Sequence, residues 1–207
     1  MKGLIYKDLL SLYKTRVLLL TIAIVGCAIM LYFDVSASLF TFLAIFLAMQ
    51  EISLISPEKA CGWKLFQTAL PVSRKSAIYE KYFMTLAYGL AGFLIALVVY
   101  LISGGKFNED FTINALICIC FLCPLTAVAL PLAIRLPISQ FFLAMLGGFL
   151  IPALVIASWS VQIGYDPQTM TLDMHIPYLA GCAVACVVLM IVSMIVMPIW
   201  LSRTDQN

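Results

Sequence analysis

The stretch Pro57–Lys81, PEKACGWKLFQTALPVSRKSAIYEK, decides how the rest of the chain is read. It is the longest polar interruption in an otherwise apolar sequence. It carries five of the twelve Lys and Arg residues: Lys59, Lys64, Arg74, Lys75 and Lys81. Long apolar segments flank it on both sides. A basic insert between two apolar segments is the pattern of a loop held on the cytoplasmic side of a membrane, where Lys and Arg accumulate next to spans.

Composition supports that solvent. Of 207 residues, 64% are hydrophobic and only 11% are charged, and the mean hydropathy is +1.08. A soluble domain is about half apolar and about a quarter charged. No soluble fold of this length hides so much apolar surface, so a single all-α, polytopic membrane domain covering residues 1–207 is expected. Nucleic acid is not expected as a partner, since no basic segment interleaved with aromatics is long enough to follow a phosphate backbone. No cleavable leader is expected either: the first apolar run lacks a nearby small-residue cleavage site and reads as a retained span.

Within the insert, Ser56, Pro57 and Glu58 give a helix start: a capping hydroxyl, a proline in the first turn and an acid at the positive end of the dipole. Ala60, Trp63, Phe66 and Leu70 then fall on one side of a short helix that Pro71 stops. Ser73 is placed to cap a second helix, which runs through Tyr79, Glu80 and Lys81 into the next span.

Working outward, residues 1–16, MKGLIYKDLLSLYKTR, repeat Ile5, Leu9, Leu12 and Tyr13 at helical spacing, with Lys7, Ser11 and Lys14 on another face. This is an amphipathic helix suited to the membrane surface. Residues 17–50 hold one charge, Asp34, and are long enough for two short spans, with an outer turn at residues 32–36. Glu51 is expected at the interface, paired with a neighbouring base. The third span is expected over 82–105, ending at Gly104-Gly105. The fourth runs over 111–134, with Pro124 and Pro131 kinking it. The fifth follows from Leu136 to about Tyr165. The sixth covers 176–202. With six spans and both termini inside, eleven of the twelve bases are cytoplasmic and only Lys106 is outside; the opposite orientation reverses that ratio. The tetrapeptide Leu70-Pro71-Val72-Ser73 is echoed by Leu136-Pro137-Ile138-Ser139, also on the cytoplasmic side. Arg135, Leu136 and Pro137 therefore form a possible second cytoplasmic contact.

The chemistry of catalysis is not legible here. There is no GxxxxGK[ST], GxGxxG, GxSxG or HExxH, and the one histidine, His175, falls in an outer loop. No catalytic, cofactor-binding or metal-ligating residue is assigned. Seven cysteines are scattered through the chain, six of them in expected spans, which is not a disulfide framework. Cys118, Cys120 and Cys123 read as small apolar helix residues, since no His or carboxylate stands near enough in sequence to complete a ligand set. The spans hold too few charges for an ion-coupled relay.

The opening MKGLIYKDL, six spans and an insert of the form EKxxGWxxFxxxLPVSRKxxxxxKY resemble the ABC-2 type transporter permease family, in particular its small branch of bacterial exporters of phenol-soluble modulins and bacteriocins. The motif is carried by Met1–Leu9 and by Glu58, Lys59, Gly62, Trp63, Phe66, Leu70, Pro71, Val72, Ser73, Arg74, Lys75, Lys81 and Tyr82. The resemblance implies that residues 1–16 are an elbow helix on the inner surface. It implies that residues 57–81 are a coupling segment, whose helix over 57–70 docks into a separate ATPase subunit. Glu58, Lys59, Trp63, Phe66, Leu70, Pro71, Ser73, Arg74 and Lys75 are then the coupling residues. It further implies a plasma-membrane exporter in which two permease chains, identical or related, pair above two ATPases. The ATPases bind the ATP and Mg, and this chain holds no cofactor. Two other readings stay open at this stage: a membrane anchor or regulatory subunit that transports nothing, and an ion-coupled secondary carrier.

Overall fold

The computed structural model describes residues 6, 21–29, 32, 39–62, 73–140, 142–143, 146–150, 154 and 176–204. Every element among them is helical: α1 Leu39–Ser53, α2 Ile55–Ala60, α3 Arg74–Ile102, α4 Glu109–Pro124, a π-helical turn Leu125–Ala129, α5 Leu130–Arg135, a 3-10 turn Ile138–Gln140 and α6 Ile176–Thr204. Residues 21–29 are also helical. In hydrocarbon every backbone amide needs an internal partner, and a helix supplies all of them within one segment.

Four stretches are long and apolar enough to cross a membrane: Leu39–Ala60, Lys75–Ile102, Phe111–Arg135 and Ile176–Trp200. They correspond to the expected second, third, fourth and sixth spans. Part of the expected first span, most of the fifth and nearly all of the 1–16 helix lie outside the described residues. So do Trp63, Lys64, Phe66, Leu70, Pro71 and Val72 of the insert.

The helices α1, α3 and α4 alternate in direction. Phe40 near the start of α1 packs on Phe93 and Tyr100 of α3, while Glu51 near its end meets Lys81 at the start of α3. These contacts make α1 and α3 antiparallel. Phe111 at the start of α4 meets Phe40 and Tyr100, so α4 runs alongside α1. α6 runs with α4: Leu179 and Cys182 share a cluster with Cys120, and Trp200 lies against Arg135. One end of the bundle therefore gathers Phe40, Tyr100 and Phe111 around the turn between α3 and α4. The other gathers Glu51, Glu58, Lys59, Lys81 and Arg135.

The closest approach is between α1 and α3. A Cβ on Gly92 would stand 2.4 Å from the Leu43 carbonyl oxygen, so only a residue without one lets the backbones meet there. The turn after α3 is closed by Gly104 at φ 85°, with its amide on the Leu101 carbonyl and the Gly105 amide on the Tyr100 carbonyl. This helix end falls at the glycine pair expected from sequence. Asn108 opens α4, its side-chain oxygen accepting from the Phe111 amide at 3.0 Å.

Two local expectations need correction. Ser56 does not cap a helix: α2 follows α1 after the single residue Leu54, which keeps helical dihedrals and makes no side-chain cap. The Leu54 amide reaches the Gln50 and Glu51 carbonyls and the Glu58 amide reaches the Leu54 carbonyl, so few orphan donors are left for a hydroxyl to satisfy. Nor does one helix run from Pro57 to Leu70. It stops at Ala60, and Gly62 takes φ 70°, a left-handed setting that ends helices and that glycine adopts without a Cβ clash.

The expected proline kink in the fourth span is a π-helical turn. Pro124 closes α4, Leu125–Ala129 widens by one residue, and Pro131 sits in the first turn of α5. In an α-helix the Ala127 carbonyl would accept from the amide four residues on; that residue is Pro131, which has none. Ser193 of α6 supplies the donor instead, its hydroxyl 2.8 Å from the Ala127 carbonyl oxygen. Tyr82 of α3 lies 2.8 Å from the same hydroxyl. Three helices are joined through one proline-freed carbonyl.

Candidate functional site

The charged end of the bundle carries the residues singled out by the sequence. Ser73 caps α3 as expected, its hydroxyl accepting from the Ser76 amide at 3.2 Å. Arg74 opens the helix and Lys75 is exposed beside it. α3 continues unbroken through Glu80, Lys81 and Tyr82, so residues 74–81 and the span behind them are one helix.

Lys81 is the hub. Its ammonium donates to Glu51 of α1 and to Glu58 of α2, each at 3.0 Å. Glu51 is fully buried and Lys81 is only 8% exposed, whereas Glu58 keeps partial access to solvent. The expected pairing of Glu51 with a nearby base is therefore present, though in the interior rather than at an open interface. Such a triad is costly to assemble and costlier to break, because removing one partner strands a buried charge. It fixes α2 and the end of α1 against the start of α3.

Lys59 extends the connection. Its ammonium donates to the Ala133 carbonyl at 2.6 Å and to the Leu136 carbonyl at 2.5 Å. These are carbonyls from the last turn and C-cap of α5, where the backbone dipoles leave negative charge that a cation complements. The two sequence-marked segments, the insert and the Arg135-Leu136-Pro137 turn, thus meet directly. Arg135 completes the end of the bundle by lying over the Trp200 ring of α6, its guanidinium carbon 4.2 Å from the ring centroid.

Sequence reasoning paired neither Lys59 nor Arg135 correctly, because both partners are more than sixty residues away. It also passed over Ser193, for which a signal exists: Pro131 four residues beyond Ala127 announces a carbonyl in need of a donor. Trp63, Phe66, Leu70 and Pro71, the rest of the expected coupling set, lie outside the described residues. The cysteines regroup. Cys118, Cys120 and Cys123 do not form the cluster; Cys120 instead joins Cys182 and Cys186, their sulfurs all within 4.8 Å of one another. The signal was the four-residue spacing of Cys182 and Cys186, which puts both on one helix face.

One short helix, α2, is bonded to three others through two lysines, at the one end of the bundle where charge is concentrated. No curated protein and no solved structure shows significant similarity to the chain. Residues 3–197 match the family described as ABC-2 family transporter protein, nearly the full length, including Glu51, Glu58, Lys59, Lys81 and Arg135. The chain belongs to the ABC-2 transporter family of membrane proteins.

Proposed function

We propose that this chain is the transmembrane permease subunit of an ABC exporter, driven by a separate ATPase that binds the ATP and Mg. The observation that carries this reading is the Lys59 bridge from α2 to the α5 terminus, together with family membership. A force applied to the insert reaches α1 and α3 through Glu51, Glu58 and Lys81, and reaches α4 and α5 through Lys59. ATP-driven closure of two ATPases beneath the membrane would move α2 and the following residues 63–72 as a lever. Trp63 and Phe66 serve as its packing anchors. Lys75 and Arg74 stand beside the same docking surface, facing acids of the ATPase or lipid headgroups.

In this reading the charged end is cytoplasmic. The protein spans the plasma membrane six times with both termini inside, residues 1–16 forming the elbow helix. A second permease chain, the same or related, completes the pathway. The cargo is an amphipathic peptide or another hydrophobic molecule.

The test is copurification and coupling. The intact chain should recover an ATPase bearing a Walker motif, and reconstituted vesicles should show cargo-stimulated ATP turnover. Trp63→Asp with Phe66→Asp should abolish that stimulation while the protein still inserts. Stimulation that survives the double variant defeats the docking assignment. Transport by the purified chain alone, on an ion gradient and without ATP, defeats the permease reading altogether.

A further inference from the structure

A second feature stands apart from the charged end. Cys120 of α4 and Cys182 and Cys186 of α6 place three sulfurs within 4.8 Å of one another. Cys120 and Cys182 are buried and Cys186 is partly so. The walls are Leu179, Ala183, Ile113, Leu116 and Ile117. These five neighbours are apolar, and among the described residues these three sulfurs are the donors that come together.

We propose that this cluster is a binding site for a single soft, monovalent d10 metal ion, Cu(I) in the cell, held between α4 and α6. Sulfurs this close leave a point no more than about 2.8 Å from any of them, and thiolate–metal bonds of about 2.3 Å need each sulfur to move in by only about 0.5 Å. Thiolates select soft ions, and oxygen-seeking Mg or Ca finds no ligand here. Zn prefers a closed set of four donors in structural sites, whereas the cluster among the described residues supplies three. Each cysteine that ligates as thiolate releases its proton to water on binding. The i, i+4 pair on α6 forms a rigid two-sulfur edge, and Cys120 closes it from the facing helix. Binding would tie α4 to α6 about 9 Å along α6 from its Ile176 end.

The test uses the full-length chain in detergent, reduced and free of oxygen, titrated with Cu(I) against a chromophoric Cu(I) chelator. One ion per chain should be captured. A variant with Cys27→Ala, Cys61→Ala, Cys118→Ala and Cys123→Ala should still capture one, and Cys182→Ala with Cys186→Ala should capture none. A second measurement covers the case in which that last variant fails to fold. In the unaltered protein, Cu(I) should shield Cys120, Cys182 and Cys186 together from maleimide alkylation, read by peptide mass spectrometry. Failure of the unaltered chain to compete with the chelator overturns the proposal. So does capture that persists without Cys182 and Cys186, or shielding confined to Cys61.

Discussion

The ammonium of Lys59 lies 2.6 Å from the carbonyl oxygen of Ala133, 74 positions along the chain. Between those residues the polypeptide crosses the bundle twice, through α3 and α4. The contact therefore ties the insert to the end of a helix that arrives by a separate route. Strain placed on α2 is shared by α5 without passing through the loops.

Lys59→Met should remove that tie while keeping the aliphatic stem. The loss of two charge-assisted bonds at a partly buried site is expected to lower stability by about 2 kcal/mol. Thermal unfolding in detergent should show a lower midpoint. In reconstituted vesicles, ATP turnover should continue with weakened transport. An unchanged midpoint would show that the helix end is satisfied without Lys59.

The Lys81 triad predicts an ordering of variants. Lys81→Met takes a cation away from buried Glu51 and should cost about 3–5 kcal/mol, more than Glu51→Gln alone. The double variant should recover part of the loss, because a neutral amide no longer needs the cation. A double-mutant cycle on unfolding midpoints measures the coupling; additive effects would mean the pair does not hold α1 to α3.

Gly92→Ala should force the α1 and α3 backbones apart, since the new methyl meets a main-chain carbonyl and not a flexible side chain. An overpacking loss of about 1–3 kcal/mol is expected. Gly181→Ala is the matched control: its Cβ meets nothing within 4 Å, and it should gain about 0.5–1 kcal/mol from better helix propensity. Similar midpoints for the two variants would contradict the close approach.

Ser193→Ala leaves the Ala127 carbonyl without its cross-helix donor and should cost about 1 kcal/mol, within the range for hydrogen bonds between spans. Tyr82→Phe removes only the outer bond and should cost less. In the Ser193→Ala background the Tyr82 change should add little. Equal, additive losses would mean the two hydroxyls act independently.

Much of this was readable before any coordinates. Apolar length marked four of the spans, Ser73 marked the start of α3 and Gly104 its end, because these depend on local composition and on backbone chemistry. The insert was recognisable by its charge. Its interior wiring was not: Lys59, Lys81 and Arg135 all look like cytoplasmic bases by the positive-inside pattern, yet one caps a helix, one is buried between two acids, and one covers an indole. Ser56 shows the opposite error. Its sequence context is that of a cap, but the preceding helix already occupies the carbonyls and amides a cap would serve. The thiol cluster was hidden because two of its members arrive on the last helix, some sixty residues after the first.

The π turn has a consequence for how the bundle changes shape. The Ala127 carbonyl within it accepts a hydrogen bond from a hydroxyl carried by another helix. If α4 straightened by expelling the extra residue, or if α6 slid by a turn, that bond would be lost. The two helices hold a mutual veto: either can rearrange only if the other goes with it, which turns a local irregularity into a latch between separate parts of the chain.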